Sequence, residues 1–250
     1  MLPGRLAARE QPDPAPGSGR MPPDRRDRPE CHARRIQDLG TGTALTFLVL
    51  LVLAGLGQAT VAFSPLDEDL LYGLQAWRGP NLNAAMRLVT DLGSPQVLTS
   101  LVVLTGLMGW PSRAPADRFG PLGILLAASL VNTGLKEWFA RPRPGPEFGP
   151  LVQEPLPSFP SGHTMLAFCV YGLLVWQVWR APMPGFLKAS LVALLTSLVV
   201  VIGISRVYLA AHYPSDVIAG FAAGIPLLWL ATVLLRATGG LRKGSADRPG

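Results

Sequence analysis

The sequence contains little charge and almost no cysteine. Asp, Glu, Lys and Arg make up only 15% of its 250 residues, and just two residues are cysteine. Two cysteines exclude a small fold held together by a disulfide framework. Six long stretches contain no charged residue at all, namely Thr43–Phe63, Val97–Trp110, Pro121–Leu135, Thr164–Trp179, Ala189–Ile204 and Val217–Leu235. Six uncharged apolar stretches exclude both a soluble globular enzyme and a disordered chain.

These stretches predict transmembrane helices. The first has 21 residues, which as a helix would span roughly 31 Å, about the thickness of the hydrocarbon core. Several others are shorter, but they lengthen when their flanks are included: the second can start at Pro95, and the third can continue past Lys136 toward Phe139. We therefore expect an all-α integral membrane protein, with six transmembrane helices forming one bundle.

The ends of the chain differ in composition from the apolar middle. Residues 1–42 hold seven prolines and eight arginines without apolar periodicity, which is typical of a disordered tail. We expect this tail to be cytoplasmic, followed by a helical domain over 43–236 and a short basic cytoplasmic tail over 237–250. Cys31 and His32 lie in the long tail, where two ligands are too few to predict a metal site.

Basic residues are distributed unequally between alternate connections. Sixteen of the 22 Lys and Arg residues fall on the side of the N-terminal tail and six on the other. By the positive-inside rule, both termini are then cytoplasmic and three connections are extracytoplasmic. We accordingly predict a multi-pass protein of the cell membrane, and we interpret the net charge of +6 as a sign of orientation rather than of nucleic-acid binding.

Three polar clusters lie at predicted helix ends, all in the extracytoplasmic connections. They are Lys136–Pro144 after the third helix, Phe159–Thr164 before the fourth, and Ser205, Arg206, His212 and Asp216 between the fifth and sixth. Lysine supplies a point charge, and arginine supplies a planar fork that matches phosphate oxygens. A helix starting near Ser161 and Gly162 would present unpaired backbone N–H groups, which bind anions. The clusters together predict a phosphate site at the extracytoplasmic membrane boundary.

Two histidines suggest how the phosphate is handled. His212 and Asp216 are four residues apart, so they can share one face if the sixth helix begins near Pro214. A carboxylate that accepts one imidazole N–H leaves the other nitrogen free as a nucleophile or base. His163 could then protonate the leaving oxygen. Because the remaining acids, such as Glu137 and Glu154, are scattered along the chain, we expect neither a metal ion nor another cofactor.

This pattern resembles the signature of the type 2 phosphatidic-acid phosphatase superfamily, the lipid phosphate phosphatases. That signature is Lys, six residues, Arg-Pro; then Pro-Ser-Gly-His; then Ser-Arg, five residues, His, three residues, Asp. The matching positions are Lys136, Arg143, Pro144, Pro160, Ser161, Gly162, His163, Ser205, Arg206, His212 and Asp216. The six-helix layout over about 43–236 is also similar to that of the integral-membrane branch.

The resemblance implies a role for each matched side chain. His212 would attack phosphorus to form a phosphohistidine, Asp216 would orient it, and His163 would protonate the leaving group. The phosphate oxygens would be held by Lys136, Arg143, Ser161, Gly162 and Arg206. The implied substrates are lipid phosphates or prenyl diphosphates in the bilayer. Undecaprenyl diphosphate is our first expectation, and phosphatidic acid or phosphatidylglycerol phosphate is the second.

Two other functions use the same features. In a lipid-linked phosphotransferase, an acceptor other than water would take the phosphate, and a non-catalytic lipid-binding protein would only hold it. The sequence does not predict an oligomeric state.

Features outside the signature receive simpler interpretations. Arg141 could add phosphate affinity or only solubility, and we favour solubility. In the outer stretch Leu66–Gly93, the leucines at 66, 70, 71 and 74 have helical spacing, which predicts an amphipathic interfacial helix. It could cover the site as a lid or simply pack at the interface. Gly220 and Gly224 have a spacing that favours close helix packing.

Overall fold

The computed structural model describes residues 64–108 and 115–246, together with residues 41, 42, 44 and 49. Residues 1–40 of the predicted N-terminal tail and most of the first apolar stretch lie outside the described residues. From residue 64 onward, the described part contains seven α-helices and one short 3₁₀ turn, Pro146–Phe148. The α-helices are α1 (Ser64–Gln75), α2 (Pro80–Asp91), α3 (Pro95–Met108), α4 (Pro115–Phe139), α5 (Gly162–Arg180), α6 (Gly185–Tyr208) and α7 (Pro214–Ala246).

Four of these helices are long and apolar enough to cross a membrane. The apolar spans are Arg118–Phe139, Gly162–Arg180, Gly185–Tyr208 and Pro214–Arg236. The pair α2 and α3 adds a fifth span if it is taken as one unit, with a bend of 52° between the two helices. The multi-pass helical class is thus confirmed, whereas the count of six stays a prediction because the first apolar stretch lies mostly outside the described residues.

Helix α5 lies at the centre of the bundle. In its most apolar window 61% of the residues are buried, against 17–33% in the windows of α4, α6 and α7. It packs against all three of those helices, and its buried side chains, such as Met165 and Val170, contribute to the main hydrophobic cluster. A helix that is apolar on every side needs apolar neighbours on every side. The outer helices instead expose large apolar residues such as Leu130 and Leu194, as a lipid-facing surface requires.

Two glycines allow α7 to approach α5 closely. A Cβ atom at Gly220 would lie 2.8 Å from the carbonyl oxygen of Ser161, and one at Gly224 would lie 2.6 Å from the ring of Phe168. Any larger residue would push the helices apart, so the prediction of close packing is confirmed. The contact also lets the Ser161 N–H donate to the carbonyl of Asp216 at 3.0 Å, which joins the starts of the two helices.

The outer stretch Leu66–Gly93 forms two helices, and the leucines whose spacing predicted a helix all lie in the first of them, α1. Helices α1 and α2 are separated by residues 76–79. Gly79 precedes Pro80, which stands in the first turn of α2, a position that proline favours. On α1, Leu71 is buried against Phe148 and Val207, whereas Leu66 and Leu70 are exposed. Helix α1 thereby packs against α6 and α7.

Candidate active site

The three polar clusters meet where α4 and α6 end and α5 and α7 begin. His212 lies at the centre of this region and is fully buried. Helix α7 begins at Pro214, as the sequence predicted, so His212 stands in the preceding turn rather than on a helix face shared with Asp216. That turn nevertheless brings Nδ1 of His212 to 3.4 Å from Oδ2 of Asp216. The opposite ring nitrogen, Nε2, lies 3.4 Å from Nη1 of Arg143.

The Asp216 carboxylate is buried among donors. Its Oδ2 accepts the Tyr213 N–H at 2.9 Å and the hydroxyl of Ser158. Its Oδ1 accepts from Nη1 of Arg141 at 2.6 Å. A buried carboxylate needs such partners, because removing its charge from water without them is costly. Asp216 is therefore held ionised and in a defined orientation on the Nδ1 side of His212.

The structure contradicts the interpretation of Arg141 as a residue that serves only solubility. Its side chain is only 9% exposed, and its guanidinium carbon lies 4.1 Å from the ring centroid of Tyr213. Besides Asp216, it binds Oδ2 of Asp67 at 2.9 Å. Arg141 thus forms part of the buried network around Asp216, where sequence reasoning did not place it.

Three basic side chains surround the Nε2 side of the site: Arg143, Arg206 and Lys136. Arg143 donates to the carbonyls of Leu156 and Ala211, each at 2.7 Å. Arg206 is almost fully buried, and its Nη1 donates to Thr90 Oγ1 at 2.7 Å. The Nε of Arg206 is buried and has no hydrogen-bond partner among the residues that the structure describes, which leaves one N–H for a ligand.

Lys136 is the third cation, and it fixes the loop that precedes α5. It lies in the last turn of α4, which ends at Phe139 as the sequence predicted. Its Nζ donates to the carbonyl of Pro157 and to that of Ser158 at 3.3 Å. Lys136 therefore adds positive charge to the site while holding the backbone of this loop in place.

Glu154 binds the two arginines on the Nε2 side of His212. Its Oε2 accepts from Nη2 of Arg143 at 2.8 Å, and its Oε1 accepts from Nη2 of Arg206. The same Oε1 lies 3.7 Å from Nδ1 of His163. Glu154 thus contacts three of the side chains predicted to handle the phosphate, so the expectation that the acids are scattered is wrong for Glu154.

The start of α5 combines the expected helix terminus with close packing. Its first backbone hydrogen bond runs from the Met165 N–H to the Ser161 carbonyl at 3.0 Å, so the amides of residues 162–164 precede it. The Ser161 hydroxyl lies 3.0 Å from Thr164 Oγ1. A Cβ at Gly162 would lie 2.9 Å from Oδ1 of Asn132. Gly162 therefore allows α4 to pass close to the start of α5, and only its backbone is available to an anion.

Burial and charge set the protonation of two groups outside the membrane spans. Burial lowers the pKa of His212 to about 4, although Asp216 opposes this shift. Burial alone would raise the pKa of Glu154, but neighbouring basic groups, Arg206 foremost, lower that pKa to about 2. At neutral pH the imidazole of His212 is therefore uncharged, as a nucleophile must be, and Glu154 carries its full negative charge.

The site contains several residues that sequence reasoning missed. Ser158 binds Asp216, Thr90 binds Arg206, and Asp67 binds Arg141. The position of Arg141 beside the signature was a usable signal, but Thr90 and Asp67 come from helices far away in sequence. In the described residues no three His, Cys, Asp or Glu side chains are grouped so that they could hold a metal ion.

Comparison with known proteins agrees with this fold. The family model of the PAP2 superfamily matches residues 119–239. Phosphatidylglycerophosphatase B of Bacillus subtilis (strain 168) is 37% identical over 185 residues, which are 74% of this chain and 90% of that protein. The crystal structure of a transmembrane PAP2-type phosphatidylglycerolphosphate phosphatase from Bacillus subtilis superposes with a TM-score of 0.69 at 33% identity, covering 77% of this chain and 94% of that one.

A more distant structure supports the fold alone. Aquifex aeolicus LpxE has a TM-score of 0.51 at 24% identity and covers 67% of this chain and 94% of its own.

An all-helical membrane bundle with this cluster of basic and histidine side chains defines a membrane phosphatase. The chain belongs to the PAP2 superfamily, and it is a multi-pass membrane enzyme that removes phosphate from lipids.

Proposed function

We propose that this enzyme hydrolyses the terminal phosphomonoester of phosphatidylglycerol phosphate through a phosphohistidine formed on His212. The observation that carries the proposal is the division of partners around the His212 ring. Asp216 faces Nδ1, and Arg143 lies beside Nε2. With Nδ1–H directed to the carboxylate, Nε2 keeps its lone pair for attack on phosphorus.

The proposed reaction has two steps. Nε2 of His212 attacks phosphorus, the bond from phosphorus to the lipid oxygen breaks, and His163 gives a proton to that oxygen. Water then attacks the phosphohistidine while His163 takes a proton from it, which frees inorganic phosphate and restores His212. Throughout, Arg143 and Arg206 stabilise the charge on the equatorial oxygens.

The contacts of Glu154 support this use of the two arginines. A carboxylate and a phosphate can each accept two hydrogen bonds from the planar fork of a guanidinium group. Glu154 accepts from Arg143 and Arg206 together. Phosphate oxygens that replaced the Glu154 carboxylate would bind Arg143, whose Nη1 lies 3.4 Å from Nε2 of His212, and would lie near Nδ1 of His163. Lys136 and the backbone at Ser161 and Gly162 would complete the phosphate contacts.

Similarity to known enzymes now favours one substrate over the one we expected first. The relative that is 37% identical is named for activity on phosphatidylglycerol phosphate. Undecaprenyl diphosphate, our first expectation from the sequence, stays a prediction, as does phosphatidic acid. The extracytoplasmic position of the site also stays a prediction, supported by the sixteen-to-six distribution of basic residues.

The decisive experiment measures phosphate release by the purified protein in detergent with a metal chelator present. Phosphatidylglycerol phosphate, undecaprenyl diphosphate and phosphatidic acid are tested side by side. His212→Ala is compared with His32→Ala, which replaces the one histidine that lies outside the proposed site. We expect the highest kcat/KM for phosphatidylglycerol phosphate, a loss of at least about 10³-fold in His212→Ala, and no change in His32→Ala. Unchanged turnover in His212→Ala would refute the mechanism.

Two further readouts separate this proposal from its alternatives. A phosphotransferase would yield a phosphorylated acceptor in place of free phosphate when candidate acceptors are added. A lipid-binding protein would bind the lipid and release no phosphate from any of the three. Activity that disappears with chelator and returns with a divalent cation would contradict the metal-independent chemistry.

A further inference from the structure

Arg141 bridges two buried carboxylates that belong to different helices. Its Nη1 donates to Oδ1 of Asp216 on α7 at 2.6 Å, and its Nη2 donates to Oδ2 of Asp67 on α1 at 2.9 Å. Both carboxylates are almost fully buried. One guanidinium is therefore shared between two buried acids, and each acid depends on it for a charged partner.

The contacts of Arg141 point away from the phosphate side of the site. Its hydrogen-bond partners are Asp216, Asp67 and the hydroxyl of Ser215, which lies at 2.8 Å. The face of its guanidinium is covered by the ring of Tyr213. Arg143, two residues later, instead reaches Glu154 and His212. The two arginines therefore differ in what they can do for an anion.

Asp67 fixes Arg141 and the first turn of α7 together. Its Oδ1 accepts the Ser215 N–H at 2.9 Å, and its Oδ2 accepts the Ser215 hydroxyl at 2.5 Å. Ser215 directly precedes Asp216, and 148 residues separate it from Asp67 in the chain. Helix α1, held down by buried Leu71, thus contributes a carboxylate that holds the backbone next to the catalytic acid.

We propose that Arg141 and Asp67 are positioning residues for the phosphohistidine reaction, an inference that rests on the proposed function. Arg141 holds Oδ1 of Asp216, so that Oδ2 remains directed at Nδ1 of His212. Asp67 holds Arg141 in place and couples α1 to the catalytic pair. Neither residue touches the phosphate. Helix α1 is consequently part of the active-site assembly rather than a peripheral interfacial helix.

This role predicts a particular kinetic signature. Loss of Arg141 would allow Asp216 to turn, and His212 would lose its orientation while the phosphate contacts remained. A small misplacement of a catalytic group can lower the rate about 10²-fold. We expect kcat to fall while KM and the inhibition constant of inorganic phosphate change less than about threefold. The residues that bind phosphate in both the ground state and the transition state are unaffected by the substitution.

The test compares Arg141→Ala and Arg141→Lys with Arg143→Ala, and Asp67→Asn with Asp69→Asn. Asp69 is exposed on the same helix and serves as the matched control. We expect kcat to fall about 10- to 100-fold in Arg141→Ala, less in Asp67→Asn, and not at all in Asp69→Asn. Arg143→Ala should instead weaken phosphate inhibition. The double variant Asp67→Asn/Arg141→Ala should be no slower than Arg141→Ala, because both substitutions act on one chain of contacts.

Several outcomes would overturn the inference. Phosphate inhibition weakened in Arg141→Ala as much as in Arg143→Ala would make Arg141 a phosphate ligand. Unchanged kcat in Arg141→Ala would remove its positioning role, and additive losses in the double variant would separate Asp67 from Arg141. If Arg141→Ala fails to fold, Arg141→Lys decides, since lysine keeps the charge but lacks the fork: lowered kcat at constant KM supports the inference, and unchanged kcat refutes it. Inactive wild-type protein, or active His212→Ala, would instead refute the proposed function.

Discussion

The two faces of the His212 ring differ in how their charges are balanced. On the Nδ1 side, two carboxylates, Asp216 and Asp67, share a single guanidinium, that of Arg141, in a buried network. On the Nε2 side, Arg143 and Arg206 share a single carboxylate, that of Glu154. The first side is closed and fixes orientation. The second has more positive charge than its internal acid can neutralise, which makes it the side suited to an anionic substrate.

Arg141 and Arg143 show how one short segment serves both faces. Prolines follow each arginine, and a residue before proline favours an extended backbone. In an extended segment, side chains two positions apart lie on the same face, so both arginines are directed toward the turn that carries His212. One then binds Asp216 and the other lies beside Nε2. Sequence proximity alone therefore does not distinguish a positioning arginine from a phosphate-binding one.

Replacing Asp216, the carboxylate on the Nδ1 side of His212, should have the largest effect on turnover. Asp216→Asn keeps the shape of the side chain but removes the charge that favours the reactive tautomer of His212. We expect kcat for phosphate release to fall by about 10²- to 10⁴-fold, with KM nearly unchanged. A fall in kcat/KM caused only by a raised KM would instead place Asp216 in substrate binding. Asp69→Asn, at an exposed position, controls for the amide substitution.

Breaking the Nε2 side should affect both binding and rate. Arg206→Lys retains a positive charge but loses the fork that spans Thr90 and Glu154. We expect kcat/KM to fall about 10²- to 10³-fold, as for loss of one donor to the transition-state oxygens, and inhibition by inorganic phosphate to weaken. Arg236→Lys, exposed on α7, is the matched control. Phosphate inhibition as strong as in the wild type would show that Arg206 serves structure alone.

The protonation of His212 can sharpen the comparison directly. Burial, with Arg206 and Arg143 nearby, lowers the pKa of His212 to about 4, against the opposing effect of Asp216. Because this pKa lies below the ordinary value of about 6.5, the imidazole should stay neutral until the pH falls to about 4. Titration of ¹⁵N-labelled histidine by NMR, with His212→Ala for assignment, measures it. A midpoint near 6.5 would contradict this environment for the nucleophile.

The smallest expected effect concerns Glu154, the carboxylate that binds Arg143 and Arg206. Glu154→Gln removes the charge that competes with phosphate for Arg143 and Arg206, so inorganic phosphate should bind about three- to tenfold more tightly. The inhibition constant of phosphate in the lipid assay measures this, with Glu147→Gln at an exposed position as control. Weaker phosphate binding in Glu154→Gln would mean that Glu154 organises the arginines instead of competing with their ligand.

Local signals predicted much of the fold and brought together several residues of the candidate site. The third apolar stretch, extended past Lys136, corresponds to α4, which ends at Phe139, and the proline before Ser215 starts α7. His212 and Asp216 come together as expected. The roles of Glu154 and Arg141 were not predicted, because an isolated acid or an arginine beside a motif has the same local sequence whether it is solvated or buried.

Hydrophobic runs and short-range spacing were sufficient to define a membrane-embedded helical phosphatase, because apolar length and motif geometry are local properties of the chain. The tertiary structure alone decided which partners the buried charged side chains find. Asp67 meets Ser215 across 148 residues, and Arg206 meets Thr90 across 116. Such pairs depend on how the helices pack against α5, and close packing is a cooperative property of the whole bundle that no single segment specifies.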